Sequence, residues 1–282
     1  MDLLGLVRRY PLASYFALVY AVSALALVVI GPPRLSGSAA FPVASLVMFP
    51  VMVVCVAIVG VALTAATAGS AGLRDLRSRL TRLRARWLLV VLIPPVAILA
   101  VLELFRAVAG PSFTPGFLVY GIAAGVLAGF FEEIGWTGFA YPRMRTRFGA
   151  LGGALLLGFL WGVWHLPVVD SLGAASPHGM ALPAFFASFV AVLTALRVLI
   201  AWVYVNTGSI LHAQLLHASS TGFLVVLSAP RVTPAQEALW YLGYAVVLWA
   251  VVALVVARWS PTLAGRPAAN GSRAELGAAG AP

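Results

Sequence analysis

The sequence contains no lysine, one cysteine and only eight acidic residues among 282. Charged side chains make up 9% of the chain, where soluble domains carry roughly a quarter. That scarcity excludes a soluble enzyme and a disordered chain, since both depend on solvated charge. The lone Cys55 excludes an intrachain disulfide and a cysteine-based metal centre. With lysine absent, all 18 basic residues are arginine, a usage that points to a GC-rich genome. What is present is apolar: 62% of residues are hydrophobic, with a mean hydropathy of +1.02. That is about twice what one globular domain of this length can bury. The composition reads as an all-α polytopic membrane protein. The net charge of +10 then reflects arginines that set orientation, and no nucleic-acid partner is expected.

A membrane helix needs ~20 predominantly apolar residues. Eight stretches qualify: 11–31, 43–68, 87–109, 116–141, 150–169, 183–205, 208–227 and 236–258. The first is too long for a signal-peptide core and is read as a retained anchor. Placing both termini in the cytoplasm puts Arg8, Arg9, the six from Arg74 to Arg86, Arg143, Arg145, Arg147, Arg258, Arg266 and Arg273 inside. Only Arg34 and Arg231 then lie outside, as the positive-inside rule requires. Residues 1–259 form a single membrane domain, and 260–282 read as a disordered cytoplasmic tail. Between Leu73 and Trp87, apolar residues recur at steps of three and four opposite arginines, which predicts an interfacial amphipathic helix on anionic lipid.

Ionisable residues inside a span are costly and usually have a task. Glu132 and Glu133 are adjacent in the fourth span, His165 lies in the fifth, and His212 and His217 lie in the seventh. His178 falls in a loop and reads as solvated. Gly121, Gly125 and Gly129 repeat every four residues ahead of the glutamates, as Gly158 and Gly162 do ahead of His165. Such stripes let helices approach closely. They predict a glycine-rich core pair, the fourth and fifth helices, with a carboxylate within about one water of His165 along the seam. At ~1.5 Å per residue, matching His165 in depth to Glu132 and His217 needs the fifth helix to start near Ala154 or to tilt.

A carboxylate beside imidazoles in a dry pocket suits water activation, because low dielectric makes the carboxylate a better base. His217 and a hydroxyl or amide one turn away can face an oxyanion. Two histidines and a carboxylate (Glu132, His165, His217) also compose a zinc set, so a divalent metal such as zinc stays open as a cofactor, although no HExxH is present.

The run Glu132-Glu133-Ile134-Gly135-Trp136-Thr137-Gly138-Phe139-Ala140-Tyr141-Pro142-Arg143 resembles the first motif of the CPBP intramembrane proteases, the CAAX protease, bacteriocin-processing or Abi family. Phe159 to Pro167 resembles the second motif. Thr207 to Leu211 followed by His217-Ala218-Ser219 resembles the third, so the motif region covers 130–221. The resemblance implies an intramembrane endopeptidase acting on a peptide or membrane-protein substrate. Glu132 would activate water with His165, Glu133 would assist, and His217 would stabilise the oxyanion, with Thr221 and Trp136 in support. Two positions depart from the family pattern, which often has Arg where this chain has Thr137 and Asn where it has Thr221. With these goes a location in a bacterial inner membrane. Two other readings stay open: a non-catalytic immunity or scaffold relative, and a transporter, which would also keep buried Glu, His and Arg197. For a transporter, no inverted repeat is evident.

Overall fold

The computed structural model describes residues 3–30 and 43–264, and among them every regular element is helical. A short helix α1 (Leu3–Arg9) precedes α2 (Pro11–Ile30), α3 (Val43–Leu80), α4 (Ile93–Ala109) and α5 (Tyr120–Gly135). Then come α6 (Tyr141–Phe148), α7 (Ala150–Trp164), α8 (Leu182–Thr207), α9 (Ile210–Val226) and α10 (Pro234–Trp259). Each of the eight apolar stretches carries a helix. Among the described residues five helical segments are long and apolar enough to cross a membrane: Pro11–Val29, Val47–Leu80, Ala85–Ala109, Gly179–Thr207 and Pro234–Trp259. The helices nearest the glutamates and histidines, α5, α7 and α9, are shorter, at 16, 15 and 17 residues.

α8 is the central element. It is apolar on all sides and buried almost continuously from Val192 to Tyr204, with α7, α9 and α10 packed around it. A helix without a polar face belongs in the middle of a bundle. The glycine stripes do bring helices together, but in different pairs from the one expected. Gly121, Gly125 and Gly129 of α5 lie against α9: a Cβ on Gly125 would come within 2.6 Å of the Gly222 backbone, and one on Gly129 within 2.6 Å of Ala218 N. Gly158 and Gly162 of α7 lie instead against Thr194 and Val190 of α8. A glycine stripe specifies that a backbone comes close, and says nothing about whose backbone it is.

Two further expectations need correction. The amphipathic segment is helical only as far as Leu80 and not to Trp87: it is the part of α3 beyond a break at Gly69, whose φ of 59° suits a residue without Cβ. The helix ends at Leu80, so Leu83 is exposed. Upstream, Leu76 is buried against Gly138 and Arg79 bonds the bundle through Tyr204 Oη and the Gly138 carbonyl. Nor is His178 solvated. It is 1% exposed, stacked on Phe185 with centroids 3.8 Å apart and set between Glu237 and Asp170. Glu237 takes the backbone N–H groups of Ala174 and Ala175, so the loop after α7 is tied to α10. The tail expected from Ser260 lies outside the described residues beyond Ala264. Up to that point Ser260, Pro261 and Thr262 are exposed and Leu263 is fully buried.

The α5–α9 contact leaves no room for a side chain. Replacing Gly125 with leucine is expected to destabilise the protein by about 3 kcal/mol, at the upper end for inserted methylenes. Thermal unfolding in detergent, with Gly152→Ala of α7 as a control where the nearest atom lies 3.7 Å away, measures it.

Candidate active site

The site is built where α5 ends. After Glu133 the chain passes through one wider π turn, Trp136–Ala140, a distortion common at functional sites. Glu132 and Glu133 are 2% and 0% exposed. Side chains one turn on reach back to each of them: Trp136 Nε1 donates to Glu132 Oε2 at 3.1 Å, and the Thr137 hydroxyl donates to Glu133 Oε2.

The two carboxylates have different surroundings. Glu133 is saturated: Arg197 of α8 grips it with both terminal nitrogens, each at 2.8 Å, and His217 Nδ1 of α9 lies 2.8 Å from Oε1. Arg197, 0% exposed, also donates to the Thr137 hydroxyl at 3.2 Å. A guanidinium from another helix thus reaches the position where the resembled family often has arginine. Glu132 takes two indoles on one oxygen, Trp136 and Trp161, the latter at 2.8 Å. Its Oε1 has no hydrogen-bond partner among the described residues, yet it is not one of the sealed polar atoms.

Trp161 ties the parts together. Its ring sits under the Arg197 guanidinium at 4.5 Å and edge-on to His217 with centroids 4.8 Å apart. Its carbonyl pairs with His165 Nδ1 at 2.9 Å. His165 therefore meets the glutamates through Trp161. Among the described residues no hydrogen bond joins it directly to either carboxylate. α7 begins at Ala150, so the later start near Ala154 is not adopted, and His165 is the residue that caps its end.

The partners fix the imidazole tautomers. A carbonyl and a carboxylate only accept, so His165 Nδ1 and His217 Nδ1 carry hydrogens. His165 Nε2 is then a proton acceptor. His217 Nε2 accepts when the ring is neutral and donates when it is an imidazolium. Neither Nε2 has a protein partner among the described residues, and neither is sealed.

The other expected members fare differently. Trp136 is in place, packed on Tyr15 and Trp164. Thr221 is half-buried on α9, and none of the hydrogen bonds around the glutamates and histidines involves it. His212 is held by Ser209 and the Arg84 carbonyl and takes no part. Glu132, His165 and His217 do not form a ligand cluster: among the described residues no three His, Cys, Asp or Glu side chains are grouped to share a metal ion. Two members were not foreseen. Arg197 was visible as a lone charge inside an apolar span, and Trp161 lay in the second motif four residues before His165.

Removing one partner of a buried ion pair leaves a charge without compensation, which costs about 3–5 kcal/mol. Arg197→Met should lower the unfolding temperature sharply, and adding Glu133→Gln should restore part of the loss. A double-mutant cycle on thermal unfolding reads that coupling, and additive losses would show that the pair is not coupled.

Residues 114–223 match a protein family described as "Type II CAAX prenyl endopeptidase Rce1-like". Over 44 residues the chain is 36% identical to "CAAX prenyl protease 2" of Methanococcus maripaludis, a stretch covering 16% of this chain and 16% of that protein. The matching family segment contains Glu132, Glu133, His165, Arg197 and His217. The resemblance read from the three motifs is therefore borne out, and over that segment the chain is similar to the Rce1-like type II CAAX prenyl endopeptidases.

Proposed function

We propose that this chain is an intramembrane endopeptidase in which Glu132 activates water. The observation that carries this reading is the division of labour between adjacent carboxylates. Glu133 is fully engaged by Arg197, His217 and Thr137, while Glu132 keeps an oxygen without a partner. A base must have a free lone pair beside its substrate, and an orienting group must not.

In the proposed reaction, water lies between Glu132 Oε1 and His165 Nε2. Its oxygen bonds to the peptide carbonyl carbon as its proton passes to Glu132. The oxyanion faces His217 Nε2, which donates to it from the imidazolium. The C–N bond then breaks as the departing amine takes the proton from Glu132. Glu133, Arg197 and Trp161 act as positioning residues, and the step is written without a metal. A peptide or a membrane protein cut within or near the bilayer is the substrate class. The setting we infer is an eight-span protein in a bacterial inner membrane with both ends cytoplasmic, in keeping with the arginine distribution.

A general base contributes about 10²–10⁴ in rate. Glu132→Gln in proteoliposomes should reduce cleavage of a quenched-fluorescent peptide library by that factor while leaving thermal unfolding unchanged. A variant that inserts normally and keeps full activity would sink the assignment. Should the biological phenotype also survive with no cleavage by either form, the non-catalytic reading takes its place. Gradient-dependent uptake of solute without cleavage would favour a transporter.

A further inference from the structure

A second polar cleft lies away from the glutamates, where α3 passes α6. Its volume is about 520 Å³, and Thr64, Asp75, Arg79, Gly138, Arg143 and Tyr204 are among its walls. Along α3 the lining runs from Thr64, in the apolar part of the helix, across the Gly69 kink to Asp75 and Arg79 in the charged part. The cleft therefore sits at the level where the chain changes from hydrocarbon-like to charged, the depth at which phospholipid phosphates lie.

Its charge is unbalanced. Arg79 is 2.9 Å from Asp75, whose carboxylate is largely exposed. Arg143 is tied to the Phe139 carbonyl and the Thr67 hydroxyl, and its guanidinium lies 3.7 Å from the Phe139 ring centroid. Among the described residues no carboxylate pairs with it. Burial, and after it the neighbouring charge of Arg79, pulls Arg143 below its ordinary pKa. The same two helices carry further exposed arginines, Arg145 and Arg147 with Phe148 on α6 and Arg74 and Arg77 on α3. An apolar ring among arginines at one end of a short helix suits a lipid surface.

We propose that this cleft holds the phosphate of an anionic phospholipid, with Arg143 and Arg79 as its cationic walls. Arginine recognises phosphate through planar, paired donors, and basic pockets between membrane helices are a recurring form of lipid headgroup site. Thr146, on the cleft wall one turn from Arg143, lies on its exposed side. The site is independent of the peptidase reading, although it shares Gly138 with the π turn that follows Glu133.

The test uses the full chain, delipidated in dodecyl maltoside, with thermal unfolding followed as phosphatidylglycerol is titrated in. Phosphatidylcholine, inorganic phosphate at constant ionic strength, and a short peptide with a free C-terminal carboxylate form the other arms. Phosphatidylglycerol should stabilise saturably and phosphatidylcholine should not. Half-saturation should rise about fivefold in Arg143→Gln, the equivalent of ~1 kcal/mol for one interfacial arginine. Arg147→Gln, exposed on α6, should shift it less than twofold. Thr146→Asp, which places a carboxylate at the lip without touching the core, should weaken binding in the same way and serves if Arg143→Gln does not fold. Equal half-saturation in all variants, or equal stabilisation by phosphatidylcholine, overturns the site. Saturation by inorganic phosphate with no gain from the lipid makes free phosphate the ligand. Displacement by the peptide alone makes it a carboxylate site. Either of these overturns the lipid assignment.

Discussion

A carboxylate taken out of water into the middle of apolar helices must find a counter-charge and hydrogen bonds, or it will not stay ionised. In this protein that requirement is met by Arg197, which grips Glu133 with two hydrogen bonds of 2.8 Å from the centre of α8. The pair sets the register of α5 against the helix about which the bundle is built. It also orders what surrounds it, because Glu133 Oε1, which accepts from Arg197, also holds the His217 ring by Nδ1, and the guanidinium covers the face of Trp161. Glu132, one residue away on the turning helix, accepts from the indoles of Trp136 and Trp161 instead.

Close approach of backbones is the second condition. His217 reaches Glu133 only because α5 and α9 touch through Gly125 and Gly222. Trp161 reaches Arg197 only because Gly158 lets α7 lie against α8, where an added Cβ would meet Thr194 Cα at 2.7 Å. Small residues and one ion pair thus act together: the glycines bring the helices within hydrogen-bonding distance, and the charges decide their rotation. The π turn after Glu133 then directs Trp136 and Thr137 back onto the two carboxylates.

Much of this was legible in the residues. Hydropathy marked all eight helical stretches, and the limit of 68 for the second agrees with the kink at Gly69. The scarcity of charge singled out Glu132 and Glu133, and their motif context identified His165 and His217 beside them. The departures have a common cause. Gly121, Gly125 and Gly129 announced a close contact, but a stripe of small residues is complementary to any backbone, so α9 could not be chosen over α7. Leu73, Leu76 and Leu80 share a helix face that could have met lipid as well as protein, and Leu76 met Gly138. His178 looked solvated because loops usually are, whereas Phe185 and Glu237, distant in sequence, enclose it.

The sequence by itself determined the all-helical membrane character, the apolar stretches and the residues able to do chemistry, because these follow from local composition and from the cost of burying charge. Only the tertiary structure decided that Glu133 is paired with Arg197 while Glu132 meets two indoles, that Arg197 and Trp161 lie beside the glutamates, and that His165 is reached through an indole. Those outcomes depend on which helices meet and at what rotation. Spacing along one helix carries that information for its own face and not for its neighbour's.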